Sequence, residues 1–290
     1  MVAEAADLGF GAMELSHGIR MSLVPGILKA VEEKVLPIES VHNFCPLPPG
    51  IHYPAPNLYQ PSSGDVREII QWERYTRQTM DFAERVGARK IVLHLGSVSF
   101  FWRSPAVRLR RFIQRRGEDF DPSEEAYRTF REKVAGRLRR KQQTYWERTL
   151  RSLESLLGEA RARDLLLCVE NRENFEELPF DDQFSELFDH FKGETALAAW
   201  HDTGHAAIKE RYGFVEHRAL LQSTAERLAG FHLHDVTVEG KDHQSIGSGV
   251  IDFSLVRSFF RPEHTLVLEL SPALTRDEVV ASREAVEGGF

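Results

Sequence analysis

The chain has 290 residues, of which 42% are hydrophobic and 28% charged, and its formal net charge is −7. This length suits a single α/β barrel domain over residues 1–290, and no segment approaches the roughly 20 apolar residues of a membrane span. The acidic balance argues against nucleic acid as the main partner, the N-terminal segment lacks the pattern of a secretory signal peptide, and the two cysteines suit a reducing cytoplasm.

Seven short apolar runs follow one another along the chain, and each ends in a residue that can bind a metal or carry a proton. The runs cover residues 11–16, 38–44, 90–96, 165–171, 195–202, 228–235 and 265–271. Their polar ends supply Glu14, His42, His94, Glu170, Asp202, His232 and Glu269. Burying an unpaired ionisable group is costly, so this repeated placement indicates parallel strands whose C-terminal ends face one pocket. That is the geometry of a TIM-type (β/α) barrel.

Helical patterns lie between these runs. Residues 65–86 carry apolar side chains at helical spacing, and Gly87 is a typical stop. Strands that alternate with helices predict βαβ units and a parallel sheet. A closed barrel has eight strands, whereas residues 3–10 resemble the end of a helix, so we expect the first strand to be lacking. The barrel should then have a gap between the strands at 11–16 and 265–271.

The spacing between strands widens most after Gly96, which predicts a helical insertion at about 97–145. It begins with Phe100, Phe101 and Trp102. A series of arginines follows without an intervening acid, namely Arg103, Arg108, Arg110, Arg111, Arg115 and Arg116. One interpretation is a solvated helical hairpin that covers the barrel mouth or makes a subunit contact. The other is an anion-binding lid, because guanidinium groups suit phosphate oxygens.

Three motifs concentrate metal-binding side chains near the predicted barrel mouth. WHDTGH supplies Asp202 and His205, FHLHD supplies His232 and His234, and the Gly-rich DHQSIGSG supplies His243. Histidines mixed with carboxylates form the ligand set that divalent Zn, Mn or Co prefers. The sequence therefore predicts a metal site, and an enzyme is the leading interpretation.

On these motifs the chain resembles the sugar phosphate isomerase/epimerase family, the xylose isomerase-like TIM barrels related to the apurinic/apyrimidinic endonucleases. Ketose 3-epimerases of that family hold one divalent ion with Glu, Asp, His and Glu on four successive late strands. The matching ligands here are Glu170, Asp202, His232 and Glu269. The resemblance implies one divalent ion, with Mn favoured over Zn, Co or Mg. It also matches His205 to a histidine that contacts the substrate or supports the ligands.

The expected reaction is an isomerisation or epimerisation of a sugar or sugar phosphate through an enediolate. Glu170 and Glu269 would move the proton, and His205 would donate a hydrogen bond to the developing oxyanion. The predicted substrate contacts are His42, His94, His243, Trp102 and Glu14. The expected partner is a small sugar, with no membrane contact, and a homodimer is compatible with the sequence.

Two other functions remain open. The endonuclease branch binds three zinc ions. It also uses one histidine on each of two early strands, matched here by His42 and His94, and an Asp-x-His pair in a late loop. Here that loop has Lys241 two residues before His243, and an ammonium group cannot ligate a cation. The third alternative is a barrel that binds a sugar without turnover.

Overall fold

The computed structural model describes residues 1–102, 104–117 and 120–290. In these residues, seven parallel strands form one sheet in chain order. The strands are β1 (Met13–Leu15), β2 (Ile38–His42), β3 (Lys90–Leu93), β4 (Leu166–Glu170), β5 (Leu197–Asp202), β6 (Leu228–Leu233) and β7 (Thr265–Leu268). The prediction of a parallel TIM-type barrel built from these seven runs is confirmed.

Helices connect the strands and form the outer layer. They are α1 (Val2–Asp7), α2 (Val24–Glu32), α3 (Val66–Val86), α4 (Pro105–Gln114), α5 (Glu125–Ala162), α6 (Phe184–His190), α7 (Thr203–Arg211), α8 (His217–Thr224), α9 (Phe253–Arg257) and α10 (Arg276–Gly288). No helix in the described ranges is both long and apolar enough to cross a membrane. The predicted helix at 65–86 is α3. Asp65 caps its first turn by accepting the N–H of Arg67, and Gly87 ends it with φ 81°.

The side chains of each strand alternate between two environments. Outward residues such as Val41, Ile91 and Phe231 pack against the helices in the main core. Inward residues form a small apolar cluster inside the barrel, made mainly of Val92, Cys168, Ala198, Trp200 and Ala229. Above this cluster, the inward positions at the C-terminal strand ends are polar.

A lysine side chain links strands at the N-terminal end of the barrel. Nζ of Lys90 on β3 donates to Oγ1 of Thr265 at 2.7 Å and to the carbonyls of Glu263 and Ala229 at 3.1 and 3.2 Å. These bonds reach from β3 to β6 and β7, on the opposite side of the barrel.

The barrel is open between β1 and β7. In the described part of the chain, helix α1 precedes β1 and no strand does, and β1 and β7 are not paired. The predicted gap is therefore confirmed. A largely apolar cleft lies there, with Phe10 and Met13 on one side and Leu266 and Val286 on the other.

The insertion after β3 consists of α4 and the N-terminal half of α5. These helices share a separate core that includes Leu109, Tyr127, Leu138 and Phe175, and Phe175 belongs to the loop that follows β4. The insertion therefore packs beside the mouth of the barrel at β4.

Candidate functional site

Each of the seven strands carries a polar side chain at its C-terminal end or directly after it. Because parallel strands point the same way, these positions share one mouth of the barrel. They are Glu14, His42, His94, Glu170, Asp202, His232 and Glu269. The structure brings these predicted residues together, and the contacts below link each of them to another member of the group.

His232 lies at the centre and is fully buried. Its Nδ1 is 2.8 Å from Oε1 of Glu170 and 3.0 Å from Oε2 of Glu269. Its Nε2 is 2.9 Å from Oε1 of Glu14, whose other oxygen accepts a 2.6 Å hydrogen bond from Ser40. One imidazole therefore links three carboxylates that come from β1, from β4 and from the end of β7.

Charge interactions within this group shift the pKa values of its members. Burial alone would lower the pKa of His232, but the carboxylates of Glu269 and Glu14 outweigh it and raise that pKa well above its usual value. Burial alone would raise the pKa of Glu170, yet the charge of Arg172 and the neighbouring rings of His232, His42 and His94 hold it well below the usual range. The carboxylates therefore stay ionised, and their negative charge is concentrated in a small buried volume.

Asp202 ends β5 and also caps helix α7. Its Oδ1 accepts the backbone N–H of His205 at 2.7 Å, and Nε2 of His234 lies 3.1 Å from both carboxylate oxygens. Asn171, at the end of β4, accepts the Asp202 N–H at 2.7 Å and donates to its carbonyl at 2.9 Å. A Cβ atom on Gly204 would lie 2.0 Å from the His234 ring, so this glycine allows the ring to reach Asp202.

Four of these residues fit a divalent metal ion. Glu170, Asp202, His232 and Glu269 each offer one ligand atom, and the four atoms all lie within 4.8 Å of one another. Ligand atoms of a tetrahedral site with bonds of about 2.1 Å are separated by roughly 3–4 Å. The contact of His232 with Glu14 is also the carboxylate–histidine arrangement that commonly supports a metal-bound imidazole.

The two early-strand histidines face the other oxygen of Glu170. Nε2 of His94 is 2.8 Å from Oε2 of Glu170, and Nε2 of His42 is 3.8 Å from it. Burial lowers the pKa of His94 to about 3, with a further lowering from Arg172. His42, His94 and Glu170 also satisfy the spacing of a metal-binding group, so this trio is a second candidate ligand set.

His205 lies beside the group and is buried. Its Nδ1 is 3.0 Å from the carbonyl of Asn171, 3.6 Å from Asp202 and 4.0 Å from Glu170. A carbonyl only accepts hydrogen bonds, so Nδ1 carries the proton and Nε2 is left for another partner.

His243 lies at the open side of the group. Its side chain is 32% exposed and that of Glu269 30%, whereas His232 and Asp202 are inaccessible. Nε2 of His243 is 3.8 Å from Glu269, and Nδ1 is 3.1 Å from Asp242. Burial would lower the pKa of His243, but the carboxylates of Asp242 and Glu269 raise it to about 10. A substrate can therefore approach past His243 and Glu269.

The Gly-rich loop that carries His243 is wrapped around a buried carboxylate. Asp235 accepts four backbone N–H groups, from Val236, Gly247, Gly249 and Ile251, at 2.8–3.1 Å. A Cβ on Gly249 would lie 2.1 Å from the Val236 carbonyl, which explains why glycine is needed there. Lys241, earlier in the same loop, is exposed.

Trp102 does not join the buried group. Its side chain is 81% exposed and its ring packs edge-on against Phe101, which is 93% exposed. Of the arginines that follow, Arg103 lies outside the described residues. Arg110 makes two 2.7 Å hydrogen bonds to Glu176, in the loop after β4.

Other arginines of the insertion contact aromatic rings. Arg108 lies over Phe130 and Arg116 over Phe112. Both contacts lie within the insertion, whereas the Arg110–Glu176 pair joins it to the loop after β4. The anion-binding lid remains a prediction.

Sequence patterns missed two supporting residues. The motif FHLHD was recognised, but not that its His234 orients Asp202. Arg172 is only two positions from Glu170 in the chain, but its contact with that carboxylate was not predicted. Arg172 is 6% exposed, and a signal was present in the closely spaced charges of Glu170, Arg172 and Glu173 at the end of β4. Nothing in strand periodicity shows where that loop turns.

The family model described as a xylose isomerase-like TIM barrel matches residues 2–277. Among curated proteins, none shows a significant sequence match to this chain.

Solved structures share the fold over nearly the whole chain. The 3-keto-D-glucoside 4-epimerase from E. coli, in its apo form, is 14% identical with a TM-score of 0.63, covering 97% of this chain and 92% of the other. The D-psicose 3-epimerase from Clostridium cellulolyticum H10, with D-tagatose, is 11% identical with a TM-score of 0.66, covering 99% and 91%. An L-ribulose 3-epimerase is 15% identical with a TM-score of 0.67, covering 99% and 86%. At these identities the likeness establishes the fold alone.

Proposed function

Because the chain belongs to the xylose isomerase-like TIM barrel family, we propose that it is a metal-dependent isomerase or epimerase of a sugar or sugar phosphate. The observation that carries this proposal is the convergence of Glu170, Asp202, His232 and Glu269, whose ligand atoms lie within 4.8 Å of one another. The structural similarity to proteins named as sugar epimerases supports the same class of substrate.

These four residues would hold one divalent ion, with Mn favoured and Zn, Co or Mg as alternatives. When bound, such an ion polarises a ketose carbonyl and acidifies the neighbouring C–H. The Glu14 carboxylate behind His232 would fix the ring orientation and make its Nδ1 a stronger ligand.

Glu170 and Glu269 are proposed to carry the proton. One carboxylate would take it from the carbon beside the carbonyl, and the other would return it to the resulting enediolate. Glu269 is the better placed of the two to meet substrate, because its side chain is 30% exposed, whereas that of Glu170 is 2% exposed and shared among several donors.

His205 is proposed to bind a substrate oxygen through Nε2. With Nδ1 donating to the Asn171 carbonyl, the neutral ring accepts a hydroxyl, and the doubly protonated ring donates to a developing oxyanion. His243, on the open side, would contact the substrate first. Trp102 is exposed, so it would contact a substrate only if the loop after β3 reached over the barrel mouth.

A phosphodiesterase of the endonuclease type is the second candidate, since His42, His94 and Glu170 form a further ligand trio. Two observations count against it. Lys241 is exposed at the position where that branch has a carboxylate ligand, and Asp242 instead pairs with Nδ1 of His243. A barrel that binds a sugar without turnover is the third candidate.

The deciding experiment combines elemental analysis of the purified protein with two assays. The proposal expects one divalent ion per chain and turnover on a panel of ketoses and their phosphates. Three ions per chain with salt-sensitive cleavage of abasic DNA would establish the nuclease instead. Bound metal with no turnover on any sugar would favour the binding protein.

A further inference from the structure

The two oxygens of Glu170 face different surroundings. Oε1 lies beside His232, within the four-residue metal group. Oε2 lies beside His94 and His42. A carboxylate whose two oxygens face different groups of ligands can bind one cation at each oxygen.

Both early-strand histidines are held with Nε2 free to act as a ligand. Nδ1 of His42 is 3.0 Å from the carbonyl of Asn43, and Nδ1 of His94 is 2.9 Å from Oδ1 of Asn57. The Asn57 amide is oriented by its Nδ2, which donates to Glu177 at 3.1 Å. Since both partners of Nδ1 are acceptors, Nδ1 carries the proton in each ring. The Nε2 atoms of both rings therefore face Oε2 of Glu170, at 2.8 Å for His94 and 3.8 Å for His42.

Arg172 already supplies a positive charge at that oxygen. Its guanidinium donates through one terminal nitrogen to Oε2 of Glu170, and its other terminal nitrogen lies 3.5 Å from Oε1 of Glu177. Its side chain is 7% exposed, so water screens the charge little. An arginine cannot lose its proton in a protein, and the charge is therefore permanent.

We propose that Arg172 takes the place of a metal ion at the His42–His94–Glu170 trio and so keeps that trio free of metal. This inference rests on the proposed metal-dependent function. The guanidinium uses an electron pair of Oε2 that a second ion would need, and its charge repels a divalent ion at this short range. The one divalent ion is thereby confined to the Oε1 side, with Asp202, His232 and Glu269.

The test is the number of ions bound per chain. Metal-free protein, prepared with a chelator, is titrated with Mn²⁺ by calorimetry, and the bound metal is counted by elemental analysis. Wild-type protein should bind one ion. Arg172→Met and Arg172→Gln, which remove the charge, should bind two, and paired Mn²⁺ should show spin coupling in the electron paramagnetic resonance spectrum.

Two further variants separate the charge from the shape of the side chain. Arg172→Lys keeps a positive charge and should bind one ion. Arg172→Met combined with His94→Ala removes a ligand of the trio and should return from two ions to one. A folded Arg172→Met or Arg172→Gln protein that binds one ion overturns the inference.

The wild-type count is informative by itself if those variants do not fold. Two ions on wild-type protein, one of which is lost in His94→Ala, overturn the inference, whereas an ion count that His94→Ala leaves unchanged supports it. Failure of the proposed function is distinguished by the sugar assay, because wild-type protein that binds one ion but turns over no sugar would overturn the function and leave this inference standing.

Discussion

Glu14 and His232 are joined by a 2.9 Å contact between Oε1 and Nε2 that crosses the opening of the barrel. Glu14 lies on β1 and His232 on β6, whereas β1 and β7 share no backbone pairing among the described residues. A side-chain contact at the mouth therefore links the two sides of the sheet that the backbone leaves apart. It also connects the first strand to the candidate metal ligands.

Replacing Glu14 with Gln should weaken Mn²⁺ binding about 10- to 100-fold, the usual effect of losing a carboxylate behind a ligating histidine. The amide can still accept a hydrogen bond, but it no longer stabilises positive charge on the ring. Calorimetric titration measures the change. Glu39→Gln, an exposed site on β2, is the matched control and should bind Mn²⁺ as wild type does. Unchanged affinity in Glu14→Gln would remove the proposed support of His232.

Replacing Glu269 with Gln should abolish turnover as well as weaken metal binding, because one side chain is proposed as both ligand and proton carrier. The expected loss in kcat at saturating metal is about 10²- to 10⁴-fold. Asp202→Asn also removes an anionic ligand but no proposed proton carrier, so excess Mn²⁺ should restore part of its activity. Equal rescue of both variants by metal would show that Glu269 is a ligand only.

Replacing Asp235 with Asn should destabilise the protein and loosen the loop that carries His243. Asp235 is fully buried and accepts four backbone N–H groups, two at each oxygen, and the amide nitrogen of Asn cannot accept the two that bind the oxygen it replaces. We expect a loss of at least about 2 kcal/mol of unfolding free energy, with faster amide hydrogen exchange at Gly247 and Gly249.

The control for that loop is Asp242→Asn. Asp242 is half-buried and its carboxylate pairs with the side chain of His243. This variant should unfold close to the wild-type denaturant concentration. If Asp242→Asn were as unstable as Asp235→Asn, the special role of the buried carboxylate would be wrong.

Acid should destabilise the fold partly through His217. This side chain is 4% exposed and lies with Nε2 2.9 Å from Nε2 of His201. Burial lowers its pKa from 6.5 to about 4, against smaller opposing effects of Asp202 and Asp252. The unfolded chain therefore binds the proton first, so stability is lost as the pH falls from about 6.5 to about 4, by roughly 3 kcal/mol in total.

Denaturant unfolding at a series of pH values tests this effect. A His217→Asn variant should lose stability less steeply over that pH window than wild type. His52 is exposed, and His52→Asn should leave the pH dependence as it is. An unchanged slope in His217→Asn would mean that other groups cause the acid sensitivity.

Local patterns in the sequence were sufficient for the fold and for much of the candidate site. The position of Glu170, Asp202 and His232 at the ends of short apolar runs put them at the barrel mouth, because the C-terminal ends of parallel strands share one mouth. The cap at Asp65 and the stop at Gly87 defined α3 in the same way. These features depend on residues a few positions apart, so they can be worked out from the chain order.

Other features depended on the tertiary structure because they arise where distant segments meet. The path of the loop after β4 brings Arg172 back onto Glu170 and beside Glu177, and the start of α7 lets His234 reach Asp202. The exposure of Trp102 likewise follows from how the insertion packs on that loop. The sequence by itself determined which residues lie at the pocket, since each of them ends a short apolar run that forms a parallel strand. Only the tertiary structure decided which side chains pair within it, because pairing depends on the distances between strands and loops far apart in the chain.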